Sequence, residues 1–170
     1  SASAACLVWM FIEWIKFGKP SLVGIATGAI AGLATITPGS GFVGPVGGLI
    51  YGLLAGTICF YMIDVIKSKF KIDDSLDVFA VHGVGGMLGI ILTSFFAHES
   101  FGGLGLGENV TIGTAFSAQL IATIVTVVWA ALATYIIILV VRATVGLRVN
   151  EEDESEGLDL SSHGERGYDL

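Results

Sequence analysis

The stretch IGTAFSAQLIATIVTVVWAALATYIIILVV, residues 112–141, contains no acidic or basic side chain. A helix crossing the hydrocarbon core of a bilayer needs about 17–25 predominantly apolar residues, so this run is long enough to span one with tilt to spare. Working outward, further spans are expected over residues 76–97, 42–66, 21–37 and 1–15. The last of these opens inside an apolar run and reads as a helix cut short, so the chain is expected to be a fragment of a longer protein. Pro20 and Pro38 bracket the second span, and Thr37-Pro38-Gly39-Ser40-Gly41 is a turn signal.

Composition agrees with a membrane protein. Of the 170 residues, 54% are hydrophobic and 14% charged, against about 25% charged in a soluble domain. The net charge of −7 comes from the end of the chain, where eight acids after Asn150 face Arg166 alone. It therefore describes a tail and implies no basic ligand; a nucleic-acid partner is not expected. Cys6 and Cys59 lie in separate apolar runs with no CxxC spacing, which suggests packing residues rather than a metal site or disulfide framework. No cofactor is expected.

The basic residues set the orientation. Lys16 and Lys19 lie between spans one and two, and Lys67, Lys69 and Lys71 between three and four. Arg142, Arg148 and Arg166 follow span five, whereas the alternate loops, 39–41 and 98–111, contain no Lys or Arg. The positive-inside rule makes the basic side cytoplasmic. The chain is thus expected to divide into a transmembrane region, residues 1–146, and an acidic cytoplasmic tail, residues 147–170. Gly24, Gly28 and Gly32 repeat at i, i+4 in span two, and Gly44, Gly48, Gly52 and Gly56 in span three. Such stripes let helix backbones approach closely, as in a tight bundle.

Chemistry concentrates in the fourth span, Asp73-Asp74-Ser75-Leu76-Asp77-Val78-Phe79-Ala80-Val81-His82-Gly83-Val84-Gly85-Gly86-Met87-Leu88-Gly89. An ionisable group inside an apolar helix is costly and usually faces a partner or a cavity. At α-helical spacing Val78, His82, Gly86 and Gly89 share one stripe, which suits a narrow dry path interrupted by one imidazole able to exchange a proton near neutral pH. Two other readings stand beside this. His82 can be an interhelical hydrogen-bonder, and Asp73, Asp74 and Asp77 can serve only to cap the helix.

The segment Asp74–Gly86 resembles the signature of the ammonium transporter (Amt/MEP/Rh) family, in its Amt branch. Other blocks resemble the same family in the same order: Glu13-Trp14, Gly18-Lys19-Pro20-Ser21, Gly28-Ala29-Ile30-Ala31-Gly32-Leu33, Ile36-Thr37-Pro38 and Gly41-Phe42-Val43-Gly44-Pro45. So do Thr144–Val149 and the tail residues Gly157, Leu158, Asp159, His163 and Tyr168.

The resemblance implies an all-α polytopic bundle, the C-terminal fragment of an eleven-helix inverted-repeat fold, and a homotrimer with one pore per subunit in the cell membrane. It implies that His82 is one of two pore histidines, with Val78 and Ile30 lining the hydrophobic path and Asp77 and Thr27 near its cytoplasmic end. Gly157, Leu158, Asp159, His163 and Tyr168 would belong to a regulatory tail, and a PII signalling protein is a possible partner at that face. The implied activity is recruitment of ammonium outside, deprotonation and conduction of ammonia. The alternative is an ammonium sensor that uses the same pore and signals through its tail. An enzyme is not expected, because no nucleophile–base pair, metal cluster or phosphate loop is present.

Overall fold

The computed structural model describes residues 1–167, and among them every regular element is helical. The chain forms two compact units, Ser1–Ile124 and Val125–Leu170. The first holds α1 (Ala2–Phe17), α2 (Leu22–Ile36), α3 (Pro45–Asp64) and α4 (Gly85–Phe96). Two π-helical turns flank the loop between α3 and α4, at Val65–Lys69 and Phe79–Val84. The long helix α5 (Ile112–Thr144) carries the unit boundary within it. The second unit continues into α6 (Glu151–Glu156) and α7 (Leu158–His163).

Four helical stretches are long and apolar enough to cross a membrane: Leu22–Gly39, Pro45–Lys69, Phe79–Phe96 and Ile112–Thr144. They match the expected spans two to five. The first expected span is present as α1, whose 16 residues fall just short of a full crossing. Large apolar side chains such as Ile15, Leu22 and Trp129 are exposed, and Thr123 is the one residue of α5 that is buried. A surface of this kind suits hydrocarbon or further helices and not water.

Small residues explain how α1, α2 and α3 come together. A Cβ on Gly28 would lie 2.7 Å from Trp9 Cβ and 3.1 Å from the Ala5 carbonyl, and one on Gly32 would lie 2.8 Å from Ala5 Cβ. The α2 stripe therefore packs against α1 as expected. The α3 stripe divides. Gly52 and Gly56 also face α1, at Ser1, Ala4, Ala5 and Val8, but Gly48 meets open space and Gly44 faces the Gly102 carbonyl. Gly47, one position out of phase, meets Val43 and Phe96 instead. The close backbone approach expected of the repeat is thus met at Gly44, Gly52 and Gly56 but not at Gly48.

Between the helices lies a core of Trp9, Ala31, Cys59 and Val81, covered by Phe60 and Ile63. Trp9 meets Phe60 edge to face at 5.2 Å, an arrangement worth about 0.5–1.5 kcal/mol beyond its buried area. Cys59 is a buried free thiol, and the Cys6 thiol contacts the Ile25 carbonyl at 3.4 Å.

The loops sort to two ends. Lys16 and Lys67 line one cavity, so the first two lysine-bearing loops share an end of the bundle. At the other end Leu104 N donates to the Phe42 carbonyl at 3.0 Å, joining the two loops that carry no Lys or Arg.

Candidate functional site

Asp74 caps the start of the helical stretch that carries His82. Its Oδ1 accepts from Val78 N at 2.9 Å and its Oδ2 from Phe79 N at 2.8 Å, satisfying two of the amide donors that any helix start leaves free. Of the three acids expected at this end, Asp74 does the capping. Asp77 instead adopts φ 57, a left-handed conformation that Asp tolerates better than most residues, and its carbonyl accepts from Val81 N at 2.9 Å.

Beyond it the chain winds as a π-turn, Phe79–Val84, before settling into α4. Its i→i+5 bonds make a wider turn, a feature frequent at functional sites. The phase of the helix changes with it. Val78 and His82 are both exposed and line one groove with Asp74, Phe79 and Gly83. The expected stripe departs at its far end: Gly86 still meets open space, while Gly89 is buried against the Thr35 carbonyl of α2. Thus the groove carries valine and histidine, and the second glycine serves helix packing.

A second cavity brings Thr27 of α2 and Asp77 together, with Trp9, Glu13, Phe60 and Lys67 among its walls. Glu13 organises the corner between α1 and α2. One of its oxygens accepts from Ser21 N at 2.7 Å and the other from Ser21 Oγ at 3.1 Å, while Ser21 Oγ accepts from Gly24 N at 2.8 Å. The Glu13 carboxylate occupies the space that a side chain on Gly24 would need. Across the cavity Lys67 Nζ lies 2.7 Å from Asp77 Oδ1. Lys16 Nζ sits over the rings of Tyr61 and Phe60 at 4.9 and 5.3 Å.

The structure therefore pairs His82 with Val78 and Thr27 with Asp77. Ile30 is 45% exposed on α2 and lines neither space. Sequence reasoning missed Lys67, Glu13 and Trp9; Lys67 was visible only as one charge in a topology signal.

In the tail, Gly157 turns the chain between α6 and α7 at φ 97, and Asp159 and Leu160 accept the hydrogen bonds that close α7 at Gly164. Leu158 and His163 are exposed at the two ends of α7. Arg148 Nε donates to Glu154 at 3.0 Å, and this guanidinium holds the Glu154 carboxyl below its ordinary pKa. Tyr168 lies outside the described residues.

A family model described as the Ammonium Transporter Family matches residues 1–168. The chain belongs to the Ammonium Transporter Family. Among curated relatives, the ammonium transporter of Aquifex aeolicus is 44% identical over 100% of the chain and 40% of its own length. Ammonium transporter Amt1 of Archaeoglobus fulgidus is 45% identical, over 99% and 42%. Among solved structures, one titled Sensor Amt Protein superposes with a TM-score of 0.84 at 28% identity, covering 95% of this chain and 39% of that one. Candida albicans Mep2 gives a TM-score of 0.75 at 32% identity, over 89% and 35%. The chain thus spans about two-fifths of the length of the curated ammonium transporters it matches. It is part of a multi-pass, all-helical membrane protein of this family.

Proposed function

We propose that the full-length protein carries ammonium nitrogen across the membrane as ammonia, along a path to which this chain contributes His82, Val78 and Ile30. The observation that carries this is the placement of His82 beside Val78 in one groove on a π-turn. A cation entering a narrow apolar path loses hydration that valine and isoleucine cannot replace, a cost far larger than for a neutral solute. Deprotonation at the entrance followed by passage of ammonia avoids that cost. The imidazole of His82 supplies hydrogen bonding to the neutral solute and a place for the proton. A second histidine from outside this chain completes the pair. Thr27 and Asp77 stand at the cytoplasmic exit, the end that holds Lys16 and Lys67, in keeping with the positive-inside rule.

The same reading makes the assembly a homotrimer and puts the α6–α7 tail at the cytoplasmic face, where a PII signalling protein is a candidate partner. A second reading, an ammonium sensor signalling through the tail, draws on the likeness to the structure titled Sensor Amt Protein. Stopped-flow recording of internal pH in proteoliposomes of the full-length protein separates the two. A transporter alkalinises the interior on an ammonium jump faster than protein-free vesicles do. A protein that binds ammonium yet leaves that rate unchanged and passes no current on an ammonium pulse is a sensor.

A further inference from the structure

The cavity holding Thr27 is lined by three carboxylates, Glu13, Asp64 and Asp77, and each already has a partner. Glu13 is held by Ser21, and Asp64 Oδ1 accepts from Ser68 Oγ at 2.7 Å. These are neutral, local donors. Asp77 differs, because its charge partner is the ammonium group of Lys67, 2.7 Å away. Asp77 Oδ1 is shielded from solvent, and the Lys67 ammonium stands at charge-assisted hydrogen-bond distance from it.

The two partners are unequal in mobility. The left-handed backbone at Asp77 and the Asp74 cap beside it fix where the carboxylate stands. Lys67 reaches it on a flexible four-carbon stem, with 39% of its side chain exposed against 21% for Asp77. The cation is the part that can leave. What it vacates is a carboxylate sized for a nitrogen bearing a positive charge and N–H donors, and free ammonium is the smallest such group. Lys16 cannot stand in, being seated over the Phe60 and Tyr61 rings.

We propose that Lys67 is a tethered occupant of an ammonium site at Asp77, which keeps free ammonium from lodging at the exit of the path. The proposal rests on the transport reading for its purpose, but the binding site itself does not depend on transport. A tethered ligand competes at an effective concentration in the millimolar range, so ammonium on the exit side binds weakly while Lys67 is present. Lys67→Met or Lys67→Gln leaves Asp77 uncompensated and open.

The test uses full-length protein. Direct binding of ammonium chloride to purified parent, Lys67→Met, Lys67→Gln, Lys67→Arg and Lys67→Met/Asp77→Asn is measured by calorimetry. Inhibition of influx by ammonium preloaded in oriented proteoliposomes is measured alongside. Removing Lys67 is expected to tighten binding and lower the inhibitory internal concentration about fivefold, the scale of a partly exposed ion pair. Lys67→Arg should behave as the parent and the double variant should lose the gain. Parent-like binding in both Lys67→Met and Lys67→Gln overturns the proposal, as does a gain that survives Asp77→Asn. If the parent shows no flux, the transport reading fails, and the calorimetry still decides the site.

Discussion

Replacing Gly89 with alanine tests the packing that supports the histidine-bearing helix. The new Cβ would fall well inside van der Waals distance of the Thr35 carbonyl and 3.2 Å from Pro38 Cδ. The first neighbour is backbone, so relief requires α4 and α2 to separate. Separation pulls on the Gly89 carbonyl as well, which accepts from Tyr51 Oη of α3 at 3.2 Å; its bond from Thr93 Oγ1 lies within α4 and moves with it. Overpacking of this sort costs about 1–3 kcal/mol, and weakening a buried hydrogen bond adds about 1 kcal/mol. Alanine returns about 1 kcal/mol through its better helix propensity, leaving a net loss of about 2 kcal/mol. Gly86→Ala, less than a turn away with nothing near its Cβ position, serves as the comparison. The assay is unfolding of the purified full-length protein in mixed micelles, followed by circular dichroism. Gly89→Ala as stable as the parent, or no less stable than Gly86→Ala, would refute the reasoning.

Other outcomes follow from the same geometry. Asp74→Ala removes two charge-assisted bonds at the start of the π-turn, each worth about 1.5–3 kcal/mol; the imidazole signals of His82 should broaden in NMR spectra, with Asp74→Asn intermediate. Gly157→Ala places a Cβ on a residue at φ 97, a strain of about 1–3 kcal/mol, and should make the α6–α7 corner more sensitive to limited proteolysis. Glu154 titrates below its ordinary range because of Arg148, so the contribution of this pair is fully present above the unfolded pKa of Glu. It is lost as pH falls through the depressed folded value. Carboxyl NMR should show that low midpoint in the parent and its return to the usual range in Arg148→Gln.

How far the sequence could be read depends on which forces it records. Uncharged length is written directly in residues, and so the helices α2, α3 and α5 and the shortened α1 stand where hydropathy puts them. The α2 glycine stripe could be read because all three of its glycines meet α1. In α3 the repeat was equally regular, yet Gly48 faces open space and Gly47 carries a contact. Periodicity gives a face but does not say where along it a neighbour crosses. The π-turn was invisible, since i→i+5 and i→i+4 winding use the same apolar residues. It shifts Gly89 away from the stripe predicted through His82. The left-handed Asp77 was hidden for a related reason: its acidic side chain fits a helix cap as well as it fits the ion pair with Lys67. That pair joins residues from the two ends of a loop, and only the folded loop brings them together.

The central claim is that ammonium nitrogen crosses along a path that includes His82. The most direct measurement is the current evoked by an ammonium pulse across proteoliposomes of the full-length protein, recorded for the parent and His82→Ala together with internal pH. The account predicts an ammonium-evoked signal in the parent, as transient current or as internal alkalinisation, that is abolished or altered in the variant. A correctly folded His82→Ala protein giving the same signal as the parent in both recordings would contradict it.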